Sequence, residues 1–209
     1  RRSVADIRMD GPAGKVNFVL SEEPQVRGMP ADRTREQRSL FTLIPTLAEA
    51  EANYNRSRTG ELPERLWVDC VLASNVDDTL APGGRHMLTC FVQYLPYRLN
   101  GGWDSHREAL GDKVTEVIAE YAPNVPGSVL ARCVLAPPDL EERFGITEGN
   151  IFHGDISLEQ MFFMRPLPRW SQYATPIGSL YLCGAGTHPG GGVTGAPGYN
   201  AARRILRES

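Results

Sequence analysis

The sequence predicts an α+β fold in which helices pack on one face of a largely antiparallel, mixed sheet. Two observations predict this class. Short apolar segments recur with the pattern of strands, and only two or three helical patterns lie between them, so strands and helices do not alternate strictly as in a parallel sheet. Strands are predicted at residues 15–20, 39–44, 65–72, 85–94, 128–135 and 180–183.

Two helices are predicted from capping boxes, in which a Ser or Thr and a Glu three residues later satisfy each other's backbone N–H groups. Thr46 and Glu49 begin a helix that runs towards Arg58. Ser105 and Glu108 begin a second helix, whose apolar stripe consists of Leu110, Val114, Val117, Ile118 and Tyr121. We expect one helix layer to bury the stripes of both helices against the sheet. Shorter helices are predicted at residues 137–143 and 201–206.

Composition and charge are those of an ordinary globular protein and exclude several classes of function. Among 209 residues, 41% are hydrophobic and 22% are charged, and the formal net charge is −3 at pH 7. No nucleic-acid partner is therefore expected, because the chain lacks a basic electrostatic footprint. The sequence also contains no apolar run of about 18 residues, the length of a membrane-spanning helix.

The four cysteines indicate neither a metal site nor a dithiol redox centre. Cys70, Cys90, Cys133 and Cys183 are scattered singly, without the short spacings of zinc or CxxC sites. We expect buried, reduced thiols in a cytoplasmic protein. Because the chain starts at Arg1 without an apolar signal segment, we also expect it to begin within a longer gene product.

The most distinctive segment is the glycine turn, residues 184–195, which connects the last predicted strand with the last predicted helix. Eight of the 21 glycines in the chain lie between Gly178 and Gly198. Glycine lets a backbone approach a ligand closely, and the N-terminus of the following helix presents N–H groups and a positive dipole end to an anion. No Lys-Ser or Lys-Thr follows, so the turn is not a P-loop. The alternative is a plain turn that closes a domain.

This glycine turn, Gly184-Ala-Gly-Thr-His-Pro-Gly-Gly-Gly-Val-Thr-Gly195, resembles the C-terminal flavin-binding signature of the phytoene desaturase (carotenoid dehydrogenase) and amine-oxidase-like flavoproteins. The preceding segment, Gly149-Asn-Ile-Phe-His-Gly-Asp-Ile-Ser-Leu-Glu-Gln-Met-Phe-Phe-Met-Arg-Pro-Leu-Pro168, is also similar to that family. The likeness is greatest to the branch called pyridine nucleotide-disulfide oxidoreductase domain-containing protein 2. It covers most of the chain and is sharpest from Gly149 to Asn200.

The resemblance implies an FAD-binding domain that is split along the sequence. Residues 1–170 would be an N-terminally truncated substrate-binding domain, and residues 171–209 would be the C-terminal segment of the FAD-binding domain. The N-terminal GxGxxG part, which would hold the adenosine half, is absent from this chain, so we expect weak or no FAD binding by the chain alone. The implied cofactor-binding residues are Gly184, Ala185, Gly186, Gly190, Gly191, Gly192, Val193, Thr194 and Gly195.

The resemblance also implies how the site would work. Backbone N–H groups around Gly192, Val193 and Thr194 would face the flavin N1–C2=O edge and stabilise the negative charge that builds there. The implied substrate-cavity residues are Phe152, His153, Gln160, Met161, Phe162 and His188, and the catalytic residues stay unknown. The alternatives are a buried loop in which Phe and Met fill space, and a structural, hydrogen-bonded role for His153. His188 is a candidate either for shaping the turn or for catalysis.

The favoured function is the C-terminal, substrate-binding portion of an FAD-dependent oxidoreductase of the dehydrogenase or desaturase type, which would transfer hydride from a small apolar substrate to flavin. The expected partners are that substrate and the missing N-terminal FAD-binding part of the same chain. We also expect an exposed apolar patch near the glycine turn, through which a homodimer could form. The alternative is a non-catalytic binding or scaffold module that retains a flavoprotein-like fold.

Overall fold

A five-stranded sheet and six helices make up the computed structural model, which describes residues 2–208. The α+β class is thereby confirmed. The strands are β1 (Gly14–Leu20), β2 (Leu40–Leu43), β3 (Trp67–Leu72), β4 (His86–Gln93) and β5 (Val129–Leu135). The helices are α1 (Arg2–Ala5), α2 (Leu47–Arg58), α3 (Arg107–Tyr121), α4 (Val125–Ser128), α5 (Pro137–Phe144) and α6 (Ala196–Glu208).

The described residues form two compact units. The sheet unit, Gly11–Gly149, contains the five strands and α2 to α5. The glycine-turn unit consists of residues 2–10 and 150–208, and it contains α1, the glycine turn and α6. The predicted division at residue 170 separates two functional segments, whereas the division above separates two compact units. The functional division stays a prediction. Its outermost residues, Arg1 and Ser209, lie outside the described residues.

The strand order in the sheet is β2-β3-β4-β1-β5, and every pairing of neighbours is antiparallel. Strand β1, which lies between β4 and β5, alternates completely, because Val16, Phe18 and Leu20 are buried while the residues between them are only partly buried. Period-2 alternation places these side chains on one face of the sheet. Phe18 lies opposite Leu88 of β4, and the two contribute to one hydrophobic core.

Helix α3 completes that core. Four members of its predicted stripe, Leu110, Val114, Val117 and Ile118, are buried with the inward side chains of the sheet. The fifth, Tyr121, is the last residue of the helix and is exposed. Helix α2 differs from the expectation, because its buried residues are Asn53 and Ser57 and it has no buried apolar stripe.

One of the two predicted capping boxes is confirmed. At the start of α2, the Thr46 hydroxyl accepts from the Glu49 N–H (3.3 Å) and the Glu49 carboxylate accepts from the Thr46 N–H (2.7 Å). The box predicted at Ser105 is wrong, because the Ser105 hydroxyl donates to the Gly101 carbonyl (3.1 Å) and the helix begins later, at Arg107. The preceding tight turn offers the Ser105 hydroxyl a carbonyl acceptor, and the hydroxyl donates to it.

Two predicted elements near the C-terminus are corrected. Residues 180–183 do not form a strand, since Tyr181 makes only an isolated bridge with Ala174. The last helix starts at Ala196, five residues before the predicted residue 201. Pro197 and Gly198 resemble a turn in sequence, but proline is compatible with the first turn of a helix, where its missing N–H has no intrahelical partner.

All four cysteines are free thiols, and their burial differs from the expectation for two of them. Cys70 and Cys90 are buried, whereas Cys133 and Cys183 are exposed. Cys70 and Cys90 are opposite each other on β3 and β4, with their sulfur atoms 3.8 Å apart. Contact with the Cys90 thiol, together with burial, raises the pKa of the Cys70 thiol. The thiolate that disulfide exchange requires is therefore disfavoured at Cys70.

None of the helices in residues 2–208 is both long enough and apolar enough to cross a membrane.

We predict that Phe18→Ala destabilises the sheet unit by about 3–5 kcal/mol, because it removes a fully buried aromatic ring from the centre of the core. Phe144→Ala is the matched control, since Phe144 lies in the same unit with 63% of its surface exposed. It should change the free energy of unfolding by no more than about 0.5 kcal/mol. Urea denaturation followed by circular dichroism measures both. Equal effects of the two substitutions would contradict the core described above.

Candidate functional site

A cleft lies beside the glycine turn, and all the residues that line it belong to the glycine-turn unit. Its volume is about 580 Å³, which lies in the usual range for pockets that bind small molecules and cofactors. We call it the glycine cleft. Its lining residues are Ile151, Phe152, Gly184, Ala185, Gly190, Gly191, Gly192, Val193, Thr194, Gly195, Pro197 and Gly198.

The floor of the glycine cleft is rich in unpaired backbone donors. Across residues 190–195, no backbone N–H group donates a hydrogen bond within the described part of the chain. The first N–H with a partner is that of Ala196, which donates to the Thr194 hydroxyl (3.2 Å) at the start of α6. Unpaired N–H groups ahead of a helix N-terminus form a concave, electropositive surface that suits an anionic or carbonyl oxygen.

Three glycines of the floor have backbone conformations that other residues rarely adopt. Gly190 has a φ of +120°, Gly192 has a φ of +123° and Gly195 has a φ of +72°. At Gly190 a Cβ atom would point into space without any protein atom within 4 Å. A side chain at this position would not clash with the protein, so crowding does not explain the glycine. Its effect is to keep the cleft open.

The opposite wall of the cleft comes from the segment that begins at Asn150. The Phe152 ring lies against the glycine turn, since a Cβ atom on Gly191 would approach its Cδ1 atom to 3.2 Å. The backbone N–H of Phe152 donates to the Asn150 side-chain oxygen (2.9 Å). The Asn150 amide nitrogen in turn donates to the carbonyls of Met9 (3.2 Å) and Asp10 (3.1 Å). Asn150 is itself buried, so these three bonds fix the start of the wall.

Arg165 lies behind both walls and is 4% exposed. Its guanidinium binds backbone carbonyls on the segment before it and on the glycine turn, those of Phe152 and Ala185 among them. Burial lowers the pKa of Arg165, and the nearby Asp155 carboxylate opposes that shift. Asp155 also lies 3.6 Å from the Arg8 guanidinium. The Asp155 carboxylate thus lies near two cationic side chains of the same unit.

The structure brings together eight of the nine predicted cofactor-binding residues. Gly184, Ala185 and residues 190–195 all line the glycine cleft, in agreement with their adjacency in sequence. The ninth, Gly186, instead faces His153, whose Cβ atom would lie 3.3 Å from a Cβ at that position. Their function in binding a cofactor stays a prediction.

The six predicted substrate-cavity residues are dispersed. Phe152 lines the glycine cleft, whereas His153 and Gln160 line a separate, much smaller cavity of about 20 Å³. The Gln160 side chain accepts from the backbone N–H of Arg8 (2.8 Å) and donates to its carbonyl (2.9 Å), which pairs it with the N-terminal segment. The remaining three, Met161, Phe162 and His188, line neither cavity. Their role in substrate binding stays a prediction.

His188 is the predicted residue with the least satisfied side chain. Its Nδ1 atom is buried and has no hydrogen-bond partner among residues 2–208. Its carbonyl accepts from the hydroxyl of Tyr173, a buried residue, at 3.0 Å. The backbone of His188 therefore helps to hold the turn in place, whereas its Nδ1 atom has no partner among the described residues.

Four contributors to the site were not among the predicted site residues. Ile151, Pro197 and Gly198 line the cleft, and Arg165 connects its walls. Arg165 had a recognisable signal, since it is a lone charged residue after the apolar Met161-Phe-Phe-Met and before Pro166. A charged residue in such a setting is buried only when it is fully hydrogen-bonded.

No group of three or more His, Cys, Asp or Glu side chains within residues 2–208 is arranged to hold a metal ion. The side chains that line the glycine cleft are likewise without any ionisable group. Recognition in this cleft must therefore come from backbone donors, apolar contacts and the Thr194 hydroxyl.

No protein-family model matches the chain. The chain is 37% identical to pyridine nucleotide-disulfide oxidoreductase domain-containing protein 2 of Rattus norvegicus, over 99% of its own length and 37% of that protein. It is 31% identical to a phytoene desaturase (lycopene-forming) of Pseudescherichia vulneris, over 85% of its own length and 39% of the desaturase. The chain belongs to the family of phytoene desaturase-like oxidoreductases that includes these two relatives. The resemblance drawn from the glycine turn is confirmed.

A third relative has a narrower match. One of the limonene dehydrogenase subunits of Castellaniella defragrans is 34% identical over 56% of this chain and 21% of the relative's own length. The three names together show that the chain is related to a family of oxidoreductases. The chain spans less than half the length of each relative, so the activity of the whole protein is a matter for proposal.

We predict that Asn150→Asp loosens the wall of the glycine cleft. The substitution places a carboxylate against two carbonyl oxygens in a buried position and should cost about 3 kcal/mol in local stability. Burial and the two oxygens should raise the pKa of the new carboxyl, so the loss is present at neutral pH and shrinks at acidic pH, where the protonated group can donate. Amide hydrogen exchange of residues 150–155 at both pH values measures this effect.

Asn55→Asp is the control for this prediction, because Asn55 is exposed on α2 and the same chemical change there should leave exchange unaltered. Faster exchange at neutral pH that does not recover at acidic pH would contradict the carbonyl contacts assigned to Asn150.

Proposed function

We propose that this chain supplies the substrate-binding portion of an FAD-dependent oxidoreductase of the dehydrogenase or desaturase type, and that its glycine cleft receives part of the flavin. The observation that carries the proposal is the floor of the cleft, where the N–H groups of residues 190–195 are unpaired beside the N-terminus of α6. Membership of an oxidoreductase family supports the same function.

The residues of the cleft fit such a group. The cleft offers a row of orphan donors for polar edge atoms, an apolar wall for a flat ring, and glycine positions whose Cβ direction is open. We assign the floor to Gly190, Gly191, Gly192, Val193, Thr194 and Gly195, and the near edge to Gly184 and Ala185. FAD, when bound, would accept a hydride from the substrate.

The chain's own residues would act by binding and electrostatics. The donors of residues 190–195 and the positive end of the α6 dipole favour a negative charge at the cleft floor. Ile151 and Phe152 exclude water from the opposite side, which strengthens these interactions. No acid or base from the cleft lining is required, which accords with its lack of ionisable side chains.

We further propose an apolar substrate. Two relatives are named for acting on phytoene and limonene, which are both hydrocarbons. A hydrocarbon has no group for a charged residue to bind, and apolar side chains are its natural contacts. We propose that Phe152, Met161 and Phe162 contact the substrate. His188 is a further candidate for such a contact.

Exposed apolar side chains near the glycine turn support a partner on this side of the unit. Val193, Tyr199 and Leu206 expose 105%, 63% and 75% of their surfaces, respectively. We propose that they are covered by the dinucleotide-binding part of the full-length protein, and that the isolated chain could pair with a second copy instead.

The visible absorption spectrum of the full-length protein, purified without added cofactor, tests the proposal. Flavin bands at near-stoichiometric occupancy are expected, together with bleaching of the bands by an apolar substrate. A colourless protein that cannot be reconstituted with FAD would contradict the proposal and favour the alternative function, a binding or scaffold module.

We predict that Gly192→Val lowers the flavin content of the full-length protein. Valine disfavours a φ of +123°, so the substitution should displace the backbone donors on either side of it. Flavin occupancy, or the midpoint potential of any flavin retained, should fall, as measured by absorbance and redox titration.

The matched control is Gly178→Val. A Cβ atom at Gly178 would have no protein atom within 4 Å, and this residue does not line the glycine cleft. It should keep the flavin content of the wild type. If Gly192→Val did so as well, the assignment of residues 190–195 to the flavin would be wrong.

A further inference from the structure

Arg165 uses every donor of its guanidinium on backbone carbonyls. Nε donates to Gln160 (2.8 Å). Nη1 donates to Phe152 (2.6 Å) and Ala185 (2.8 Å). Nη2 donates to Gly154 (2.8 Å) and Asp155 (3.2 Å). Five N–H groups are therefore matched to five acceptors, which is the full capacity of an arginine side chain.

These acceptors lie on three parts of the glycine-turn unit, of which the glycine turn is distant in sequence from the other two. The segment 152–155 supplies three carbonyls, residue 160 supplies one, and the glycine turn supplies one at Ala185. The same Nη1 atom binds both Phe152 and Ala185. These two residues line the glycine cleft, so one nitrogen atom sets the distance between its two walls.

Apolar packing contributes little in this unit, which makes the polar connection more important. Among the buried hydrophobic residues of the described chain, only Tyr173 and Ala201 lie in the glycine-turn unit. The position of segment 152–155 relative to the glycine turn is then determined mainly by directional bonds, and Arg165 makes five of them.

We propose that Arg165 is a positioning residue for the cofactor. By holding Phe152 and Ala185 at a fixed separation, it keeps the glycine cleft at the width that the bound ring requires. The inference rests on the proposed function. Arg165 touches the backbone of the walls from behind and is not itself among the lining residues.

A lysine at this position would keep the charge but not the geometry. Its ammonium has three donors at a single point, whereas the guanidinium is a planar fork with five. One ammonium cannot bind both cleft walls and also reach the carbonyls of Gly154 and Gln160. An Arg165→Lys substitution therefore separates the effect of the positive charge from the effect of the planar guanidinium geometry.

The test uses the full-length protein with Arg165→Lys and Arg165→Met. FAD titration of the apoprotein measures the dissociation constant, and redox titration measures the flavin midpoint potential. Both variants should weaken FAD binding by about tenfold or more, since each loses at least two of the five hydrogen bonds that hold the walls and the segment behind them. The midpoint potential and the visible spectrum of the bound flavin should also shift, which a purely structural role would not cause.

Arg132→Met is the matched control. Arg132 is a partly buried arginine on β5 in the sheet unit, where it binds Glu108 (2.5 Å) and Asp112 (2.7 Å). Its loss should lower the unfolding temperature while the FAD affinity and the flavin potential stay at their wild-type values.

Three results would count against the inference. Folded Arg165 variants with wild-type affinity and potential would overturn it while leaving the proposed function intact. Loss of folded structure in both variants, seen by circular dichroism, would make Arg165 a determinant of folding and would overturn it too. A wild-type protein that takes up no FAD would instead refute the proposed function, and the inference with it.

Discussion

The glycine-turn unit depends on one interaction, the convergence of five carbonyl oxygens on the buried guanidinium of Arg165. A buried cation is costly unless each donor is matched, and here each one is. The same bonds orient the peptide groups of the segment 152–155 and of the glycine turn. The shape of the glycine cleft thus follows from satisfying a charge located behind it, and the cleft surface itself can remain uncharged.

The two units of the chain are stabilised by different kinds of interaction. The sheet unit has a continuous hydrophobic core, formed by one face of the strands and by α3. The glycine-turn unit has few buried apolar side chains and relies on Arg165, Asn150 and Gln160, which bind backbone groups. Apolar packing tolerates changes of detail, whereas directional bonds to the backbone fix positions.

The sequence predicted the parts of the fold in which periodicity dominates. The alternation of β1 and the stripe of α3 require only that apolar side chains face one core, and both are found. Prediction failed where local competition decides, as at Ser105, which binds a nearby carbonyl, and at residues 180–183, which make one isolated bridge. The density of glycines in the sequence pointed to the residues of the glycine cleft. Arg165 was missed because it binds backbone carbonyls, which every residue has, so no sequence pattern marks its partners.

The floor of the glycine cleft is made of peptide N–H groups, so its charge distribution should not depend on pH. A peptide N–H does not titrate in the physiological pH range, unlike the side chains of His, Asp or Lys. The positive end of a helix dipole is equally independent of pH. If residues 190–195 bind the proposed cofactor, the donors that they supply should therefore not change with pH. Any pH dependence of the whole protein would then report groups elsewhere, on the bound cofactor, on the substrate or in parts of the molecule outside this cleft.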